Sequence, residues 1–224
     1  MKSRFLVVAL FAGVFLSAGA ITVPDRASAA PCTSADNVAT VSGTDHCLAI
    51  KTYLPEFGPG RALVVVLHGD LSGGGVADYI FEVAKAAAAS GAIGVAMMRP
   101  GYTGDGRTSS GTASRDQNRD DIYRAGETDS MAAAVANLKK HHGVASVVMV
   151  GHSGGAAISG VILGRSAPLV DAVLLVSCPC DVPKWRDARD RKPLENAESP
   201  VDYLKSVRLS EVGAENREDI CDDR

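Results

Sequence analysis

Short apolar runs alternate along the chain with stretches whose apolar positions recur at helical spacing. Ala62 to Leu67 is continuously apolar, the pattern of a strand buried on both faces. Ala92 to Met98, Ser146 to Val150 and Asp171 to Ser177 read as further strands. Leu48 to Leu54 alternates instead, which predicts an antiparallel strand at a sheet edge. Val76 to Ser90 reads as a helix stopped by Gly91. A second helix, Thr128 to His142, ends at Gly143. Its last turn carries Lys139, Lys140, His141 and His142, where the helix dipole favours cations. Gly154 to Arg165 predicts a third. Strands and helices in alternation predict an α/β protein with a doubly wound, mostly parallel sheet. No internal repeat or linker divides residues 30–224, so one domain is expected there.

Arg99 to Asp121 has no apolar period and exceeds the usual connection of about six residues. Such a stretch is either a functional rim or disordered. Its Arg107, Arg115 and Arg119 either bind an anion or are simply solvated.

The N-terminus changes the picture. Lys2 and Arg4 precede an apolar run from Phe5 to Ala20, and small residues at Ala27 to Ala30 follow. That is the layout of a secretory signal peptide, residues 1–29, cut after Ala29 or alternatively after Ala20. The run is shorter than the ~20 residues of a membrane span, so no anchor is expected after cleavage. The whole chain has net charge −3 and a pI near 5.9. Losing Lys2, Arg4 and Arg26 against Asp25 makes the remainder more acidic still. No basic patch favours nucleic acid. The expected location is secreted or periplasmic.

Export places all five cysteines where disulfides persist. Cys32 and Cys47 flank a short polar stretch and are expected to pair. Cys178-Pro179-Cys180 looks too tight for a relaxed bridge and lacks the C-x-x-C spacing of redox or zinc sites. No metal site is expected, because H-E-x-x-H and paired Cys/His spacings are absent. No cofactor is expected either: Asp78 stands where a dinucleotide loop at Gly73 to Gly75 needs its third glycine.

Candidate chemistry sits at Gly151-His152-Ser153-Gly154-Gly155, a match to G-x-S-x-G. It falls where a predicted buried strand turns directly into a predicted helix. A serine there occupies a sharp turn, the flanking glycines remove Cβ clashes, and the helix aims its first amides at a developing anion. A glycine-rich turn without chemistry is the plain alternative. A second element, His68-Gly69-Asp70, follows the strand Ala62 to Leu67. His68 is expected to brace that turn, and His152 to project away from the serine hydroxyl.

With H-G after an early strand, R-P-G-Y-T-G-D-G after the next and G-H-S-G-G later, residues 48–203 resemble an α/β-hydrolase. The elbow is similar to that of dienelactone-hydrolase-like and prolyl-oligopeptidase-like members. The resemblance implies Ser153 as nucleophile, with the Asp70 and Gly154 backbone N–H groups forming an oxyanion hole. It also implies an acid and then a histidine after the serine. Here the sequence departs from the pattern. Its five histidines stand at 46, 68, 141, 142 and 152, all before Ser153.

Ser199 to Leu204 resembles the short helix preceding the acid-bearing strand. Glu211 to Arg224 then holds eight charged residues. The resemblance implies two more strand–helix units of about 30 residues each, so truncation or a frameshift near Val207 is expected. Asp181 is the best available acid, or else a surface carboxylate. Lys184, Trp185 and Arg186 either line a pocket or pack a lid.

The expected function is an exported serine hydrolase that cleaves a small ester or peptide through an acyl-enzyme. The chain as written is expected to turn over little, for want of a base. The rivals are a binding protein on a hydrolase scaffold and an acyltransferase using the same serine.

Overall fold

The computed structural model describes Cys32 and residues 35–71, 75–111, 123–194, 196–205 and 207. The segment read as a signal peptide lies outside the described residues, as do Arg115, Arg119, Cys221 and the stretch after Val207. In chain order the strands are β1 (Thr40–Ser42), β2 (Cys47–Tyr53), β3 (Ala62–Leu67), β4 (Ile93–Met97), β5 (Thr103–Gly104), β6 (Arg107–Thr108), β7 (Ser146–His152) and β8 (Ala172–Val176). The helices are α1 (Ile80–Ala89), α2 (Ala125–His142), α3 (Gly154–Arg165), α4 (Val182–Asp187) and α5 (Pro200–Leu204).

Six strands form one sheet in the order β1-β2-β4-β3-β7-β8. β4, β3, β7 and β8 are parallel, while β2 runs antiparallel to β4 and β1 antiparallel to β2. The sheet is therefore α/β and mostly parallel. β2 is not its edge, contrary to the sequence reading: three residues too short for a periodic signal, Thr40–Ser42, pair outside it.

Alternate side chains of the sheet feed two layers. Leu63, Val65 and Leu67 pack with Met131, Ala134, Val135, Ile158 and Ile162 of α2 and α3. Val66, Ala96 and Met98 pack with Ile80, Phe81 and Ala84 of α1. That division follows from the two-residue period of a strand. On the α1 side, β8 presents Leu174 and Val176 to solvent, 57% and 41% exposed.

The polar stretch after β4 carries structure that its composition conceals. β5 and β6 form a hairpin across Asp105-Gly106, both at positive φ (53° and 72°). Asp-Gly is the favoured pair for such a turn and was the available signal. Arg107 of this hairpin pairs with Asp105 at 3.0 Å. Helix α1 starts four residues later than expected, and α2 starts three earlier.

Register lines up the carboxyl ends of the parallel strands. Leu67 stands beside both Met97 and Gly151, and His152 stands beside Val176. The chain leaves β3 for β4 on one side and returns to β7 on the other. That makes the β3/β7 gap the switch point of the sheet, where open α/β folds bind ligands. Both motifs singled out in the sequence open onto it.

Candidate active site

β7 ends at His152 and α3 begins at Gly154, leaving one residue to reverse the chain. That residue is Ser153, at φ 51° and ψ −120°. A non-glycine residue in this region costs about 1–3 kcal/mol, so the surroundings must hold it there. Its N–H donates to Val176 O (2.8 Å), and its carbonyl accepts from Ala156 (2.8 Å) and Ala157 (3.1 Å). Ser153 is partly exposed, whereas Gly154 and Gly155 are buried.

Gly155 allows this turn to lie on the end of β3. A Cβ there would sit 2.5 Å from His68 O and 2.6 Å from Leu67 O, both backbone atoms that cannot yield cheaply. At Gly69 a Cβ would meet Ser153 Cβ at 2.8 Å and His152 Nδ1 at 3.0 Å. The two glycine motifs are thus packed directly against each other. Gly154 supplies the first of the amides that a helix leaves without intrahelical partners.

His68 is wholly buried. Its Nε2 accepts from the Arg99 N–H (3.0 Å), so its Nδ1 carries the proton and donates to Gly69 O (2.7 Å). Burial first, and the Arg99 charge second, push its pKa down to about 3. The ring packs edge-on against Tyr102, with centroids 4.6 Å apart. Both nitrogens being used, His68 is a brace for the turn and not a base for Ser153.

The Asp70 side chain turns onto Arg99: Oδ1 accepts from Nη1 at 2.9 Å, and Oδ2 accepts from Tyr123 OH at 3.3 Å. Arg99 Nη1 also reaches His68 O at 3.3 Å. Nearby Glu127 has its pKa raised by burial, against the opposing pull of Arg99 and Arg124. On the outer side, Tyr79 OH accepts the Gly69 N–H at 2.6 Å and lies 2.9 Å from His152 Nδ1. Tyr79 and Tyr123 were not singled out by sequence, because they come from different connections and carry no local motif, and Arg99 entered only as the first residue of R-P-G-Y-T-G-D-G.

Asp181 lies just past β8 but caps α4, its Oδ1 accepting from Lys184 N–H at 3.1 Å. Among the described residues its carboxylate bonds to no histidine. Arg186 is buried and donates from Nε to Lys192 O (2.5 Å). Trp185 is flanked by Arg189 and Arg191 at 4.8 and 5.2 Å.

Cys32 and Cys47 are joined by a disulfide. Cys178 and Cys180 are joined too, against the expectation from their spacing. Their Cα atoms, with Pro179 between them, are 5.1 Å apart, within the usual bridging range. The pair packs on Ala156, in the first turn of α3.

The arrangement places a hydroxyl at a helix N-terminus beside a second braced turn, a geometry suited to acyl transfer. No histidine follows Ser153 in the sequence. Among the described residues no hydrogen bond engages its hydroxyl, and none of their His, Cys, Asp and Glu side chains cluster to hold a metal.

Known structures share this framework. The chain superposes on Est1E from Butyrivibrio proteoclasticus with ferulic acid bound, at a TM-score of 0.55 and 19% identity, covering 72% of this chain and 60% of that one. For the proline iminopeptidase of Mycobacterium smegmatis the TM-score is 0.50 and the identity 21%, covering 67% of this chain and 47% of that one. The chain thus spans about half to three fifths of these proteins' lengths. A search of curated protein sequences finds no match. The likenesses do not single out the dienelactone-hydrolase-like or prolyl-oligopeptidase-like groups. The model of the alpha/beta hydrolase fold family matches residues 62–201, which spans both glycine motifs and most of the parallel sheet, and the chain belongs to that family.

Proposed function

We propose that this protein is an exported serine hydrolase acting on a small ester or peptide, with Ser153 as nucleophile. The carrying observation is Ser153 itself, held at φ 51° at the mouth of α3 and packed against Gly69. Its Oγ attacks the substrate carbonyl carbon, the hydroxyl proton leaves to a base, and the carbonyl oxygen becomes an anion. The Asp70 and Gly154 N–H groups stabilise that anion; in such sites removing one donor costs about 3–4 kcal/mol of barrier. Expulsion of the alcohol or amine gives an acyl-serine, which water then hydrolyses.

His68 is committed to Gly69 and Arg99, so it does not take the Ser153 proton. Among the described residues no side chain is hydrogen-bonded to the Ser153 hydroxyl to serve as that base. A fluorophosphonate probe tests the assignment: it labels the wild type and leaves Ser153→Ala unlabelled. Equal labelling of both overturns it.

That no hydrogen bond among the described residues engages the Ser153 hydroxyl also favours a second reading, a binding protein on a hydrolase scaffold. An unlabelled wild type supports that reading. Acyl transfer to an acceptor other than water uses the same serine and shows itself as acceptor-dependent release of the acyl group. Export rests on the Lys2/Arg4 and Phe5–Ala20 leader pattern and agrees with the Cys32–Cys47 bridge.

A further inference from the structure

An oxyanion hole made of two amides from separate loops works only if the loops are held in register, within about 0.5 Å. Here one amide belongs to Gly154, at the rigid start of α3. The other belongs to Asp70, beyond Gly69, and glycine is the residue with the greatest backbone freedom. Two peptide units flank Gly69, and each has its own side-chain tether. The unit that contains Gly69 C=O and the Asp70 N–H is held from inside by His68 Nδ1–H. The unit that contains the Gly69 N–H is held from outside by Tyr79 OH at 2.6 Å.

We propose that Tyr79 is a positioning residue that ties the two halves of the site together. Its hydroxyl accepts from Gly69 and donates to His152 Nδ1, the residue next to the nucleophile. The proposal rests on the reading of Ser153 as nucleophile. The phenol oxygen accepts the Gly69 N–H and keeps its one proton to donate, and His152 Nδ1, 2.9 Å away, is placed to accept it. His152 is thereby fixed with its proton on Nε2. The ring of Tyr79 stands edge-on to the His152 ring, centroids 5.6 Å apart and 86° between planes. Yet Tyr79 is 43% exposed, so it adds little to the core. Its value lies in the hydroxyl, whose partial burial raises its pKa and keeps it protonated, as a donor must be.

Tyr79→Phe keeps the ring and removes both bonds. The measurements are the rate at which a fluorophosphonate phosphonylates Ser153, fluoride leaving, and the nitrogen-15 shifts of the His152 ring, with far-UV circular dichroism to confirm the fold. The expected result is phosphonylation slowed about tenfold, the size expected for about 1.4 kcal/mol. The His152 signals are expected to move away from a single Nε2–H tautomer. Val83→Ala, an exposed change one turn along α1, leaves both readouts at wild-type values. A folded Tyr79→Phe protein with wild-type phosphonylation rate, or with unchanged His152 shifts, overturns the proposal. Absence of labelling in the wild type is a different failure, that of the nucleophile reading.

Discussion

Asp70 Oδ1 and Arg99 Nη1 form an ion pair of 2.9 Å at the edge of the site, with the arginine side chain 2% exposed and the aspartate 15%. In the proposed oxyanion turn an acidic residue is an awkward occupant, since its charge would oppose the anion there. Arg99 and Tyr123 draw the carboxylate onto themselves, so the turn presents its N–H with the neighbouring charge compensated. Arg99 comes from the residues just past β4, placed beside Asp70 because Met97 and Leu67 are in register.

Removing one partner of such a pair leaves a buried charge uncompensated. Arg99→Met is expected to destabilise the protein by about 3 kcal/mol in urea unfolding, and the double variant Asp70→Asn/Arg99→Met by clearly less. Equal losses in the single and double variants would mean that packing by the arginine stem, and not charge, sets the cost.

His68 makes stability depend on pH. Its pKa is 6.5 when free and about 3 in the folded protein. Between those values the unfolded chain takes up a proton that the native state refuses. Stability is therefore fully present above about pH 6.5 and falls as pH drops toward 3, by up to ~1.4 kcal/mol per pH unit. His68→Gln keeps an acceptor for Arg99 N–H and does not titrate. The gap in unfolding free energy between wild type and this variant is expected to shrink by about 2.5 kcal/mol from pH 7 to pH 4.5. Asp36, lowered to about 2 by the N–H groups of Thr40, Val38 and Ala39, contributes in both proteins and cancels. Parallel pH curves would show that His68 takes up its proton in the native state as readily as in the unfolded chain.

The Ser153 backbone stores strain that only glycine relieves. Ser153→Gly is expected to raise stability relative to Ser153→Ala by about 1 kcal/mol, although neither variant reacts with a fluorophosphonate. Thermal melts of the two variants side by side check this. A Gly variant no more stable than the Ala variant would place the φ of residue 153 elsewhere.

Much of the framework was legible because its signals are local. A strand buried on both faces shows as an unbroken apolar run, so Ala62 to Leu67 was placed to the residue. Glycines at 151, 154 and 155 around Ser153 marked a strand-to-helix reversal, and the reversal is there. The hairpin at Asp105-Gly106 was equally local but sat in a stretch whose polarity drew attention away from its turn chemistry. β1 was too short for any period to register.

What surrounds Ser153 was a different matter. Tyr79 leads into α1, Arg99 follows β4, and Tyr123 precedes α2. They meet because strand register brings the ends of β3, β4 and β7 together. A pairing between Cys178 and Cys180 likewise depends on the backbone conformation at the intervening Pro179, which no spacing rule contains. The sequence by itself determined the alternation of strands and helices and the placing of a serine at a strand–helix junction, since both depend on residues within a few positions of each other. Only the tertiary structure decided which side chains brace His68, neutralise Asp70 and bridge Gly69 to His152, because those contacts join residues that the chain separates and the sheet brings together.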